Sequence, residues 1–236
     1  MFEIRAPLFS ASYDKTMRLW DAQNGQCIGE LSEHSDQIRC IDWSPNGRLI
    51  ATGASDSRVI LWDASTRSFF KKFSSNNQWI NALAFNAEKS LLAIGLGDGN
   101  IMLRYPASEK SRKNLRAHRT YVNAVVWIPG TNLLCSGSGR GTIRLIDVQK
   151  EKSIKEIREH DDKILRLSVS SDGRHLASLG QDRLIIWDCS TWKPIHTVEG
   201  PFPTSTYLPL AFGRTAPMLA TASATDPTIV QIVHFQ

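Results

Sequence analysis

The chain has 236 residues, 42% of them hydrophobic and 22% charged, a balance that suits a folded domain and excludes a disordered chain. No run approaches the roughly eighteen consecutive apolar residues of a membrane span, and Glu3 and Arg5 interrupt the opening where a signal peptide needs an apolar core, so neither an anchor nor secretion is expected. A formal charge of +5 tilts partners toward acidic surfaces without marking a nucleic-acid binder.

Cys27, Cys40, Cys135 and Cys189 lie far apart with no CxxC pair, which argues for reduced thiols and against a zinc site or a disulfide framework. The expected location is therefore intracellular: the cytoplasm, with the nucleus as the alternative.

In chain order, Met17/Leu19 before Trp20 opens a series of apolar alternations. Its counterparts are Val59/Leu61 before Trp62, Ile101/Leu103 before Arg104, Ile143/Leu145 before Ile146, Leu184/Ile186 before Trp187 and Val230/Ile232 before Val233. The markers stand 42, 42, 42, 41 and 46 residues apart, the extra length falling in EGPFPTSTYLP. A fixed period of this size governs the fold before any single element does.

A second apolar segment recurs in register: Ile38/Ile41/Trp43, Ile80/Leu83/Phe85, Val122/Val125/Trp127, Ile164/Leu167/Val169 and Tyr207/Leu210/Phe212. Turn chemistry follows several of these, with Asn46-Gly47 and Asp172-Gly173 the strongest hairpin dipeptides. Small-residue strands such as LIATGAS and LLCSGSG come next, then the marker strand, then a more polar strand such as SFFKKF or KSIKEI. Each unit reads as a four-stranded antiparallel meander, and no segment carries helical periodicity.

An isolated small sheet is marginal at best, so the units must stack on one another, and blades arranged radially around a channel are the expected solution. In MRLWD at 17–21, VILWD at 59–63 and IIWD at 185–188 the chain resembles the WD-repeat β-propeller family over essentially its whole length, residues 1–236. The expected fold is all-β, a β-propeller of about six four-stranded blades. Residues 7–31 supply three strands of blade 1 and residues 206–234 three of blade 6, so both terminal blades are expected to be incomplete. Residues 2–4 can add a short strand without completing both. A shortened ring, or edges paired by another chain or domain, is the expectation, because open edges invite aggregation.

Ser, His and Asp recur in a pattern that tempts a catalytic reading. A buried indole N–H needs an acceptor, however, and a Trp–Thr–His–Asp chain satisfies each of its members. The resemblance implies the family's structural tetrad, complete as His34, Thr52, Asp56 and Trp62 in blade 2 and as His160, Ser178, Asp182 and Trp187 in blade 5. Blade 1 keeps Ser10, Asp14 and Trp20. Blade 4 keeps His118 and Ser136 but has Arg140 and Ile146 in the remaining places, and blades 3 and 6 must depend on packing. The histidines are expected to brace the blades, with no nucleophilic triad.

The basic run Lys110, Arg112, Lys113, Arg116 and Arg119 falls on the outer strand of blade 3 and its exit loop. Lysine-rich outer edges discourage strand pairing, and no aromatic interleaves to stack on bases, so a solvated edge is expected ahead of nucleic-acid contact. Just before the first strand of successive blades stand Gln37, Trp79, Tyr121, Lys163 and Thr206, followed two residues on by Arg39, Asn81, Asn123, Leu165 and Leu208 at the channel mouth. Trp79 and Tyr121, ringed by Arg39, Asn81, Asn123, Arg119, Arg140 and Lys163, make the candidate partner site, with packing into the blade contacts as the competing reading.

No adjacent arginine pair supplies the phosphoinositide-binding motif found in some propellers of this family, and none of the Trp-Asp markers continues as the WDxR of cullin-ligase adaptors. Nor is there a phosphate-binding glycine loop: IGLGDGN at 94–100 reads as a hairpin. The expected function is a non-catalytic protein-interaction scaffold or adaptor, without metal, cofactor or small-molecule substrate, binding an acidic protein or peptide on the loop face and no membrane. The alternatives are the sensing domain of a larger signalling receptor and a nucleic-acid-associated protein using the basic edge of blades 3 and 4.

Overall fold

The computed structural model describes residues 8–88, 91–106, 108, 111–203, 209–213, 218–223 and 229–235. The described residues form 22 strands in six antiparallel sheets and no helix. Blade 1 contains β1 (Leu8–Ala11), β2 (Met17–Trp20) and β3 (Cys27–Leu31). Blade 2 runs β4 (Ile38–Trp43), β5 (Leu49–Ala54), β6 (Arg58–Asp63) and β7 (Ser68–Ser74), and blade 3 runs β8 (Ile80–Phe85), β9 (Leu92–Leu96), β10 (Asn100–Arg104) and β11 (Ser111–Arg116). Blade 4 follows with β12 (Val122–Trp127), β13 (Leu133–Ser138), β14 (Ile143–Asp147) and β15 (Lys152–Ile157), and blade 5 with β16 (Ile164–Val169), β17 (His175–Gly180), β18 (Arg183–Asp188) and β19 (Lys193–Glu199). Blade 6 shows β20 (Leu210–Phe212), β21 (Met218–Ala222) and β22 (Val230–His234).

Every sheet is a simple meander in sequence order, so the 42-residue period of the sequence is one blade. Residues from all six blades, including Ala11, Cys40, Leu83, Val125, Leu167 and Leu210, surround one central cavity of about 430 Å³. The sheets therefore stand radially, each first strand innermost in blades 2 to 6.

Burial follows from that position. The second strands β5 and β9 are buried on both faces, which is why their sequences run as small and apolar residues without alternation. The outer strands β7 and β19 have one side in solvent and alternate. Glycines at Gly47 and Gly173, with φ of +68° and +72°, take the left-handed conformation that the two hairpin dipeptides require.

Five apolar clusters fill the gaps between consecutive blades. Met17 and Leu19 meet Ile38 and Trp62, Leu61 meets Ile80 and Leu92, Leu103 meets Val122 and Trp127, Cys135 meets Ile164 and Leu176, and Leu184 meets Leu219 and Val233. Fully burying one such side chain is worth about 1.5–3 kcal/mol, so these gaps hold most of the folding energy.

Glycines on the second strand set how closely blades approach. A Cβ at Gly53 would lie 2.3 Å from Ile80 Cγ2, one at Gly95 2.9 Å from Val122 Cγ1, and one at Gly137 2.4 Å from Ile164 Cγ2. Each contact is with the first residue of the next blade's inner strand. At the corresponding place in blade 5 stands Leu179, whose side chain joins Phe202 and Leu219 in the gap to blade 6. Gly137→Ala is expected to lower the unfolding free energy by about 1–3 kcal/mol, the usual cost of overpacking a tight core. Urea denaturation checks this; a variant as stable as the native protein would show that the blades are not held at that separation.

Candidate functional site

Two four-residue hydrogen-bond chains run through the blades. In blade 2, Trp62 Nε1 donates to Thr52 Oγ1 at 2.9 Å, Thr52 Oγ1 lies 2.8 Å from His34 Nε2, and His34 Nδ1 lies 2.9 Å from Asp56 Oδ2. The hydroxyl, having accepted from the indole, donates to Nε2, which leaves the ring proton on Nδ1 facing the carboxylate. Blade 5 repeats the chain through Trp187, Ser178, His160 and Asp182 at 2.8, 2.8 and 2.9 Å, despite one residue fewer between Asp182 and Trp187. In blade 1 Trp20 Nε1 donates to Ser10 Oγ at 2.7 Å, while Asp14 caps its own turn through Thr16.

In blades 2 and 5 the carboxylate also accepts a backbone N–H from the residue after the histidine, Ser35 or Asp161, each at 3.0 Å. Burial holds His34 and His160 below the ordinary imidazole pKa although Asp56 and Asp182 pull upward. With each ring nitrogen engaged and the rings buried, these histidines are braces, and no nucleophile faces a substrate from them. In blade 4, His118 Nε2 keeps its 2.8 Å contact with Ser136 Oγ, but Arg140 and Ile146 replace the carboxylate and the indole. Burial and the nearby Arg144 guanidinium push His118 down to about 4.

In blades 2, 3 and 4 the loop entering the inner strand is tied to the turn between the second and third strands. Ser55 N donates to Gln37 O at 2.9 Å, Gly97 N to Trp79 O at 3.0 Å and Gly139 N to Tyr121 O at 3.0 Å. These bonds hold Trp79 and Tyr121 on the rim, 57% and 40% exposed. The Arg39 guanidinium lies 5.8 Å from the Trp79 ring centroid, and the Tyr121 ring covers the backbone of Gly139.

The inner strands of blades 2 to 5 each carry a β-bulge at the second residue, with register shifts between Ile38/Cys40, Ile80/Ala82, Val122/Ala124 and Ile164/Arg166. The bulged residues are Arg39, Asn81, Asn123 and Leu165, and the bulge turns the first three toward the channel mouth. Asn81 is 8% exposed and its Oδ1 has no partner among the described residues. Asn123 instead donates from Nδ2 to Ile164 O at 3.0 Å, bracing blade 4 against blade 5.

Leu165 is buried in the gap to blade 6, and the charged place beside it at the mouth belongs to Arg166, which the repeat pattern did not single out. Two other side chains also link blades, Asp42, which the pattern missed, and Trp127, which it placed only as an apolar strand residue: Asp42 Oδ2 accepts Phe85 N–H at 2.6 Å, and Trp127 Nε1 donates to Ala84 O at 3.0 Å.

The rim cluster divides in two. Arg39, Asn81 and Asn123 gather at the channel with Arg166, whereas Arg119 and Arg140 border a separate cleft of about 440 Å³ beside His118. Lys163 is half-buried and lines neither. On the basic edge, Lys113 is ion-paired with Glu151 of the neighbouring blade, and Arg116 and Arg119 are exposed. Lys110, the side chain of Arg112, and Thr206 and Leu208 of the rim series lie outside the described residues, as do residues 2–4.

Comparison with known proteins agrees with this architecture. Residues 25–63 match the family model "WD domain, G-beta repeat", and residues 83–172 match "Anaphase-promoting complex subunit 4 WD40 domain". Among curated relatives, Coronin-7 of Homo sapiens is 48% identical over 52 residues, covering 22% of this chain and 6% of its own length. Nuclear distribution protein PAC1 of Coccidioides posadasii is 43% identical over 49 residues, 21% of this chain and 10% of its own length. WD repeat-containing protein 25 of Mus musculus is 46% identical over 50 residues, 21% of this chain and 9% of its own length. The likeness to each relative thus spans a small part of that relative.

His118 makes a pH dependence testable. Its folded pKa, about 4, lies below the ordinary 6.5 of the unfolded chain, so its neutral form stabilises the fold above pH 6.5 and that contribution is lost as pH falls toward 4. His34 and His160 act in the same direction. Asp42, pushed up to about 6 by burial, acts oppositely, its contribution being lost as pH rises through 6. Between pH 7 and pH 5 the native protein is expected to lose about 2 kcal/mol more than His118→Gln does. Denaturant titrations at both pH values measure the difference; equal losses contradict the assignment.

Proposed function

The chain belongs to the WD-repeat family, and we propose that it works as a non-catalytic protein-interaction scaffold whose loop-bearing face docks an acidic protein or peptide segment. WD-repeat propellers are characteristically scaffolds of this kind. The observation that carries the choice of face is the exposure of Trp79 and Tyr121 on consecutive blades, each backbone-tied, with the Arg39 guanidinium beside the Trp79 ring. Large aromatics and arginines are the residues that most often dominate binding energy at interfaces. Arg39 and Arg166 at the channel, with Arg119 and Arg140 beyond Tyr121, favour an acidic segment over a basic one.

A preformed face loses little conformational entropy on binding, which is how a rigid propeller acts without chemistry of its own. Asn81, with its buried and unpartnered Oδ1, offers an acceptor to a backbone N–H of the docked segment. A cytoplasmic location belongs to the same proposal and is supported by four cysteines that stand as free thiols.

Trp79→Ala combined with Tyr121→Ala is expected to keep the fold and to cut recovery of bound proteins from cell extract at least tenfold, about 1.4 kcal/mol or more. Quantitative mass spectrometry of material retained by native and variant baits measures it, with thermal unfolding as the check on folding. Unchanged recovery by a folded variant would remove these two side chains from the site.

A further inference from the structure

Blade 4 keeps the histidine and the hydroxyl of the tetrad and has no carboxylate. The histidine and hydroxyl stand 18 residues apart in blades 2, 4 and 5, as His34/Thr52, His118/Ser136 and His160/Ser178. The aspartate stands 22 residues after the histidine in blades 2 and 5. In blade 4 that position is Arg140.

Removing the aspartate leaves two donors facing its former place. Ser136 Oγ has no indole to accept from, since Ile146 replaces the tryptophan, and His118 is its hydrogen-bond partner at 2.8 Å. Freed of the indole, the hydroxyl can donate to or accept from Nε2, and a carboxylate in the vacant place selects the tautomer in which it donates and the imidazole proton stands on Nδ1. His118 is only 4% exposed, yet among the described residues no acceptor meets Nδ1. The second donor is the Arg119 backbone N–H, which occupies the position from which Ser35 and Asp161 bind their carboxylates in blades 2 and 5. Thr120 Oγ1, on the same cleft, is likewise buried without a partner.

The other task of the aspartate has been reassigned. In blade 2 Asp56 also caps its turn by accepting Arg58 N–H at 3.0 Å, whereas in blade 4 Ser138 Oγ accepts the N–H groups of Arg140 and Thr142, each at 3.3 Å. The turn is complete without a carboxylate, and only the place in front of His118 is unfilled.

The charge around that place suits an anion. Arg144 and Arg158 share Glu156, each at 2.5 Å, and Asp161 pairs with Arg183 at 2.6 Å. The Arg119 and Arg140 guanidinium groups have no ion-pair partner among the described residues, and both border the cleft.

We propose that this cleft receives the side-chain carboxylate of an aspartate or glutamate from a protein partner, seated where blades 2 and 5 hold their own aspartates. The incoming carboxylate accepts from His118 Nδ1–H and Arg119 N–H and pairs with the Arg140 guanidinium. The site rests on the reading of this face as a docking surface for acidic segments and gives that reading an anchor point. It is a carboxylate site by template, since Asp56 and Asp182 supply the same oxygen geometry from within the chain.

The test uses an acetylated hexaglutamate peptide, inorganic phosphate as a second probe, and the full chain in native, Arg140→Asp, Arg140→Ala and Trp79→Ala/Tyr121→Ala forms. Histidine side-chain NMR, with His118 assigned by its loss in His118→Gln, reads the site directly. Saturating peptide is expected to raise the His118 pKa by at least one unit in the native protein. Arg140→Asp supplies the carboxylate from within, so it is expected to raise the His118 pKa without peptide and to weaken peptide binding at least tenfold; Arg140→Ala weakens it without the pKa change.

A His118 resonance that ignores the peptide, or equal peptide affinity in native, Arg140→Asp and Arg140→Ala proteins, overturns the site. A response to phosphate and not to hexaglutamate overturns the carboxylate assignment. Failure of the aromatic rim reads out separately, as unchanged affinity in the Trp79→Ala/Tyr121→Ala protein while the His118 response persists.

Discussion

A four-stranded sheet with two apolar faces has no way to be stable alone, and the whole molecule follows from how its neighbours cover those faces. Gly53, Gly95 and Gly137 let Ile80, Val122 and Ile164 sit directly on the preceding blade's backbone, and five apolar clusters then close the gaps. That approach brings the inner strands around one cavity and lifts their entry loops onto a common rim. Side-chain bonds across the gaps, from Asp42, Asn123 and Trp127, fix the blades in register once packing has brought them together.

Within that frame the polar residues divide by whether their hydrogen bonds are complete. The chains through His34 and His160 are closed at every atom, and a closed chain in a low-dielectric interior stiffens a blade without offering chemistry to solvent. Blade 4 has the same scaffold with two members exchanged, Arg140 for the aspartate and Ile146 for the tryptophan, which leaves the histidine without its carboxylate beside positive charge. A degenerate repeat that keeps only the histidine and the hydroxyl of the tetrad is thus where the proposed carboxylate site lies.

Much of this was legible in the residues. The 42-residue spacing made the strand order legible because each marker closes one blade, and the tetrad residues were legible through the family resemblance that the Trp-Asp markers carry. The bulges at Arg39, Asn81, Asn123 and Leu165 left no mark in the alternation, since one inserted residue is offset by the twist around it. Arg166 was hidden for that reason: the bulge carries Leu165 into the core and leaves the arginine at the channel. The division of the rim into a channel mouth and a cleft depends on distances between blades, which a one-dimensional pattern does not contain. Leu179 in the place of a glycine, by contrast, was visible in the sequence, but its meaning appears only against the wider gap contents of blades 5 and 6.

The dependence of every blade on its neighbours is tested most directly by native-state amide hydrogen exchange resolved by residue. Amides of β5, β9, β13 and β17, one from the interior of each complete blade, are expected to exchange through a single opening of equal free energy matching global unfolding. Blades that open one at a time, each with its own lower free energy, would contradict the account.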